Sequence, residues 1–361
     1  MFVCISLLLT IALLLLLFLS KKEIKIEHVD ELPFVSVLVA ARNEEDKIAS
    51  CIEALLAQEY PKEKMEILIG DDDSDDDTAR IVKGYTYKYP HVCYQHISTP
   101  LGDTKGKANV LAHLAQKAKG EYFLITDADI EVNPCWCKNM LFIAKAKACD
   151  IVTGVTTIKS RGWFSAFQKI DWLYFMSLIK AVTDLGLPLT SMGNNMLISK
   201  EAYEKTGGYA KIPFSVTEDL ALFQAVIQNE GTYYHHFSIE TLAYSQPIAT
   251  FMHLLKQRKR WMRGAVQTPW YMVLLLLLQA FFYPVFCVTL WLNPSIAVFS
   301  VAVAKYVTQL GFICFYAHKI RQKPKIGLLL LYEVYSGFLS ICLLMYYVMP
   351  TGIKWKGRVY K

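Results

Sequence analysis

The chain has 361 residues, 54% of them hydrophobic and 19% charged, with a mean hydropathy of +0.28 and a formal net charge of +6. That is too apolar for a simple soluble protein and too charged for a bundle of membrane spans, and it excludes intrinsic disorder, a collagen-like repeat and a disulfide-dense scaffold. From Phe251 onward, fourteen of the 38 Lys and Arg residues face a single acid, Glu333, so the first 250 residues carry 24 basic against 31 acidic side chains. An acidic body joined to a basic, apolar tail reads as a folded domain attached to a membrane with its basic loops inside, and the body has the wrong sign for nucleic acid. The nine cysteines are scattered without a CxxC pair, the pattern of reduced structural thiols.

In chain order, Met1 to Leu19 is uncharged and precedes Lys21-Lys22, an uncleaved anchor by its flanks rather than a signal peptide. Strands and helices then alternate. Strands are expected over Phe34–Ala41, Met65–Gly70, Val92–Ile97 and Tyr122–Thr126, and helices over Lys47–Gln58, Thr78–Lys88 and Lys107–Ala118. Apolar strands without alternation, separated by helices, predict a mostly parallel α/β sheet covered on both faces, with ligands beyond the strands' carboxyl ends. Trp163–Leu187 reads as a helix that is either core or at the membrane surface, and Trp163, Trp172 and Tyr174 favour the surface. Trp270–Leu292, Ser295–Ala317 and Ile326–Met349 are each long enough to cross a bilayer. Within them Lys305 and Glu333 are expected to pair. Four spans starting outside would leave the basic tail Ile353–Lys361 outside, against the positive-inside rule; a cytosolic tail, with one apolar run re-entrant or interfacial, is the preferred resolution.

The residues just after each strand carry the chemistry. Arg42-Asn43-Glu44-Glu45 comes after the first, Asp71 to Asp77 with six carboxylates after the second, and Asp127-Ala128-Asp129 after the fourth. Carboxylates stacked at one edge repel unless a cation is bound, and a DxD pair can face a hard divalent ion such as Mg²⁺ or Mn²⁺, although a helix cap and a solvated Asp would read the same. Lys105 and Lys107, in a Gly-rich turn before a helix, suit a phosphate or a solvated basic turn equally. His235-His236 has no ligand partner at metal spacing and reads as structural.

The series AARNEE (40–45), GDDDSDDDT (70–78), GKANVL (106–111), GEYFLITDAD (120–129), GNNM (193–196), EKTGGY (204–209), TED (217–219) and QRKRW (257–261) resembles the membrane-bound family 2 glycosyltransferases, the branch with ceramide glucosyltransferase and the cellulose and hyaluronan synthases. The resemblance runs in order from about Pro33 to Arg263. It implies a GT-A fold over residues 33–250, an anchor at 1–20, a QxxRW interfacial segment at 251–269, two or three apolar helices within 270–349 and a basic tail at 350–361. It also implies an inverting transfer from a nucleotide-sugar, usually a UDP-sugar, to a lipid-linked or membrane-embedded acceptor, with the catalytic domain on the cytosolic face of a bacterial plasma membrane.

By position, Ala40, Arg42 and Glu44 would line the nucleotide pocket, Asp72 would bind the base, Asp127 would contact ribose or sugar, and Asp129 would hold the metal. Lys107 matches a common family lysine. Asp73 stands where the family often has Gly and Asp75 where it often has Thr, which weakens the expectation for the base. Asp219 matches the general base, with Glu218 second; Gly193, Asn194 and Asn195 mark the acceptor region. Gln257, Arg260 and Trp261 match QxxRW, with Arg260 for the diphosphate and Trp261 near the acceptor. The alternatives are a processive polysaccharide synthase, which needs a channel that three or four spans make poorly, and a non-catalytic membrane scaffold.

Overall fold

The computed structural model describes residues 2–27, 31–349, 352–355 and 358–360, with backbone only over 353–360; the rest of the expected tail lies outside the described residues. The elements begin with α1 (Phe2–Phe18), β1 (Val35–Ala41), α2 (Ile48–Leu56), β2 (Met65–Asp71), α3 (Thr78–Lys88), β3 (Val92–His96), α4 (Gly106–Lys117) and β4 (Tyr122–Asp127). Next come β5 (Ile130–Val132), α5 (Trp136–Lys147), β6 (Ile151–Thr153), β7 (Thr156–Ile158), α6 (Trp163–Asp184), β8 (Asn195–Ser199), α7 (Lys200–Lys205) and α8 (Glu218–Gln228). The series closes with β9 (Tyr233–His235), β10 (Ala243–Ser245), α9 (Phe251–Ala265), α10 (Trp270–Leu292), α11 (Ile296–Lys319), α12 (Ile326–Val348), β11 (Ile353–Trp355) and β12 (Arg358–Tyr360).

Two compact units emerge: residues 23–157 with 190–246, and residues 1–22 with 158–189 and 247–361. α6 groups with the apolar helices.

The first unit is a seven-stranded sheet in the order β3-β2-β1-β4-β8-β6-β9, mostly parallel with β8 running against β4 and β6. Its central strands β1, β2 and β4 have no polar face because both faces are covered. Val35, Val37, Val39, Ile67, Ile69 and Leu124 pack on one side under α2 and α5. Leu38, Leu68, Phe123 and Ile125 pack on the other under α4 and α8. Each such side chain taken fully from water stabilises the fold by about 1.5–3 kcal/mol. A small sheet, β5-β10-β7, lies beside it.

The second unit holds α1, α6 and α9 to α12. Three helices, α10, α11 and α12, are long and apolar enough to cross a membrane, and α1 is a shorter apolar helix. Phe2 and Leu9 of α1 pack with Phe282, Tyr283 and Val298 of α10 and α11. The expected pair is present: Lys305 Nζ lies 2.8 Å from Glu333 Oε1, with Lys305 fully buried and Gln309 donating to the other oxygen at 3.1 Å. Most of α6 is buried. Trp172 and Tyr174, which favour a membrane surface in sequence, pack against Trp261 and Phe312, while Trp163 is 71% exposed. Their aromatic character serves helix packing, a use that composition cannot distinguish from lipid contact.

Candidate functional site

Ala40 on β1 lies opposite both Gly70 on β2 and Asp127 on β4, so three strands end level and present their succeeding loops at one edge. The loops after β1 and β2 are stitched together there. Arg42 donates to the carbonyls of Asp72 and, at 3.0 Å, Asp73. Glu44 N–H donates to Thr78 Oγ1 at 2.8 Å, and Asp75 N–H donates to Asn43 Oδ1 at 3.1 Å. Asn43 and Asp73 have φ of 51° and 59°, the left-handed region that short polar side chains tolerate. This explains how Asp stands at 73 where Gly is frequent.

The acidic run does not require a bound cation. Buried Asp71 accepts from Ser74 N–H at 3.0 Å and from the Tyr94 hydroxyl at 2.8 Å. Asp76 accepts from the N–H of Thr78 and of Glu45, and Asp77 pairs with Arg80 at 2.7 Å. Asp72 is buried beneath the loop, 4% exposed. The repulsion expected from composition is relieved by backbone N–H groups, which a count of carboxylates cannot reveal.

Lys107, one residue into α4, is the hub of the site. Its ammonium lies 2.5 Å from Asp127 Oδ1 and 2.9 Å from Glu218 Oε1, and donates to Gly193 O at 3.3 Å. Burial pulls its pKa down, but Asp127, Glu218 and Asp219 outweigh burial and hold it above the usual range. Lys107 thus turns inward to carboxylates, settling the phosphate-or-solvent alternative for neither. α8 starts at Glu218, which puts both acids in the first turn, where the helix dipole favours them.

Asp219 accepts from Gly193 N–H at 2.9 Å and from Leu220 N–H at 2.9 Å. Burial, and then Glu218, raise its pKa to about 6 against the pull of Lys107 and the two N–H groups. A carboxyl titrating near neutrality can take up and release a proton, as a general base must. Gly193 is constrained by this packing: a Cβ there would lie 3.0 Å from Asp219 Cβ and 3.1 Å from Lys107 Nζ.

The acceptor-region residues divide. Gly193 touches Asp219, and Asn194 accepts from Thr126 Oγ1 through its carbonyl at 2.9 Å and from Thr156 through its side chain at 3.1 Å. Asn195 is fully buried: its Nδ2 donates to Val155 O and Thr241 O at 3.0 and 2.9 Å, and its Oδ1 accepts from Trp136 Nε1 at 2.8 Å. Asn195 holds the sheet to its surroundings. His235 shares a hydrogen bond with Thr190 O and His236 with Thr241 Oγ1.

Among the described residues no three His, Cys, Asp or Glu side chains group to cage a metal. Lys107 pairs with Asp127, so a divalent ion would rely on Asp129, beyond the buried Ala128, together with the phosphate oxygens of a donor. Mg²⁺ and Mn²⁺ accept that combination of one carboxylate with phosphate and water, so the residues fit an ion that arrives with its nucleotide.

In the second unit, α9 carries Gln257, Arg260 and Trp261. Trp261 packs on Trp172 at 5.0 Å between centroids, and the Arg258 guanidinium stacks 4.5 Å over Trp261 while bonding Asp171 at 2.5 Å. Sequence reasoning missed this support. Its signal was a lone Asp171 in an aromatic helix.

The sequence matches the descriptions Glycosyl transferase family 2 over residues 36–207 and Glycosyl transferase family group 2 over residues 122–350. The chain belongs to the family 2 glycosyltransferases. It is 28% identical over 246 residues to a beta-monoglucosyldiacylglycerol synthase of Trichormus variabilis, covering 65% of this chain and 50% of that one. It is 31% identical over 247 residues to a poly-beta-1,6-N-acetyl-D-glucosamine synthase of Staphylococcus aureus, covering 66% and 56%. The chain thus spans about half the length of the curated relatives it matches. A mannosyltransferase of Pyrobaculum calidifontis, solved with GDP-Man and Mn²⁺, shares the fold at a TM-score of 0.58 and 17% identity, over 97% of this chain and 99% of that one. This glycosyltransferase therefore has a GT-A-type catalytic fold.

Proposed function

We propose that this glycosyltransferase moves a single hexose, with inversion, from a nucleotide-sugar, a UDP-sugar by family resemblance, to a lipid-embedded acceptor at the cytosolic face of a bacterial membrane. The observation that carries the reading is the Lys107–Asp127–Glu218–Asp219 cluster at the carboxyl edge of the sheet, with one carboxyl titrating near neutrality. Asp219 takes the proton of the acceptor hydroxyl as its oxygen bonds to the anomeric carbon. The bond from that carbon to the diphosphate breaks, and its electron pair leaves with the nucleotide. Lys107 ties up the Glu218 carboxyl in an ion pair, which leaves Asp219 as the carboxylate that cycles. Arg42, Glu44 and Asp72 hold the nucleotide, Asp127 the sugar or ribose, and the resemblance gives Gln257, Arg260 and Trp261 the diphosphate and acceptor. A divalent ion held by Asp129, when bound, supplies charge neutralisation for the departing diphosphate.

The likeness to a diacylglycerol glycoside synthase and the apolar helices favour a lipid acceptor, while the likeness to a polysaccharide synthase defines the rival. Purified protein in liposomes with bacterial lipid extract, labelled UDP- or GDP-sugar and Mn²⁺ separates them. A discrete organic-soluble glycolipid supports the proposal; polymer in the aqueous phase contradicts it.

A further inference from the structure

We propose that the cleft between the first turns of α4 and α8 seats the acetamido group of an N-acetylated hexose, and that the Tyr209 hydroxyl at this cleft selects that donor. The inference rests on the transfer reaction proposed above and names its sugar.

The cleft encloses about 220 Å³ of empty space beside the catalytic cluster. Ala108, Ile212, Pro213, Phe214 and Ala221 make most of its wall apolar, and Glu218 and Tyr209 also line it. Tyr209 is 3% exposed, and its buried hydroxyl has no hydrogen-bond partner among the described residues. The core fixes the ring. It meets Tyr203 edge-on at 5.8 Å between centroids, its backbone N–H donates to the Tyr203 hydroxyl at 3.1 Å, and Tyr203 in turn meets Phe123 at 5.5 Å.

The phenol oxygen lies within reach of the charges of the catalytic carboxylates. Burial first, and then Glu218 and Asp219, hold its pKa well above the usual range, so it stays a proton donor. A buried hydroxyl without a partner costs free energy, which a ligand offsets by bringing an acceptor. Glu218 is held in place by Lys107 at 2.9 Å, and a carboxylate accepts several N–H groups at once.

The cleft thus offers a fixed O–H donor, a carboxylate acceptor and an apolar wall. An acetamido group answers all three: its carbonyl accepts from Tyr209, its N–H donates to Glu218, and its methyl lies against Ala108, Ile212 and Ala221. A sugar hydroxyl satisfies the phenol but leaves the apolar wall uncovered. A uronate sets a second carboxylate against Glu218.

The full-length protein in liposomes of bacterial lipid, given UDP-N-acetylglucosamine and UDP-glucose, tests this through the ratio of kcat/KM for the two donors. The ratio is expected to favour the acetamido donor by about tenfold or more, because a site built around a hydrogen bond rejects the analogue that cannot make it. Tyr209→Phe is expected to lower that ratio by about tenfold while its apo-protein melts no lower than wild type, since the lost hydroxyl has no partner. Ala221→Leu, which narrows the cleft, is expected to lower the same ratio. Equal use of both donors by the wild type, an unchanged ratio in Tyr209→Phe, or a Tyr209→Phe melt well below wild type overturns this inference and leaves hexose transfer standing. Transfer from neither donor overturns both.

Discussion

Asp219→Asn is expected to inactivate the enzyme and to stabilise it. In the wild type the Asp219 carboxyl titrates at about 6 in the fold rather than at the ordinary 3.8. A carboxyl whose pKa is raised on folding is held protonated more readily in the folded state. Ionising it therefore opposes folding: the cost is absent below about pH 3.8, grows between there and pH 6, and is complete above. By linkage it amounts to about 3 kcal/mol at pH 7. Asn removes that cost and keeps an oxygen to accept the Gly193 N–H. Thermal melts of the purified protein should therefore show Asp219→Asn above wild type by several degrees at pH 7.5, with the gap closing toward pH 4. Sugar transfer, read as released nucleoside diphosphate, should fall by about 10²–10⁴, the usual worth of a general base. Wild-type turnover in the variant, or a melting gap that does not depend on pH, refutes the reasoning.

Lys107→Met leaves Asp127 and Glu218 without their counter-ion; a loss of about 3–5 kcal/mol in stability is expected in the same melts, with partial recovery on adding Glu218→Gln. Asp129→Ala should abolish the Mn²⁺-dependent part of the stabilisation that a donor nucleotide gives over the variant's own apo melt. Asn195→Ala strands the Trp136 indole N–H and two carbonyls, so a loss of about 3 kcal/mol or more is expected without a selective change in acceptor KM. In the apolar helices, Glu333→Gln should destabilise by leaving Lys305 buried and charged, while the double change Lys305→Met with Glu333→Leu should recover most of it in a detergent-melt assay.

The strand–helix alternation of the catalytic unit was legible because both faces of its strands are buried: Val35 to Ala41 and Met65 to Gly70 are near-continuous apolar runs, and the spacing of Ile48, Ile52 and Leu55 gives α2. The acidic positions at strand ends were legible for the same reason, since parallel strands in register end together. What sequence could not give were contacts between distant segments. Lys107 lies twenty residues before Asp127 and over a hundred before Glu218, and nothing in a Gly-rich turn says which carboxylates it meets. Asn195 stood in a motif next to Gly193, yet strand alternation sends its side chain into the core beside Trp136. The backbone N–H groups that satisfy Asp71 and Asp76 belong to loops with two left-handed residues, Asn43 and Asp73, whose φ no composition records. α6 was ambiguous because a helix that packs among other apolar helices and one that lies on lipid have the same aromatic content.

The measurement that bears most directly on the central claim is the anomeric configuration of the product, read by NMR on the glycolipid formed from an α-linked nucleotide-sugar. In-line attack assisted by Asp219 predicts a β-linked sugar and, from Asp219→Asn, a product-formation rate lower by about 10²–10⁴; an α-linked product, or an equal rate from the variant, contradicts it.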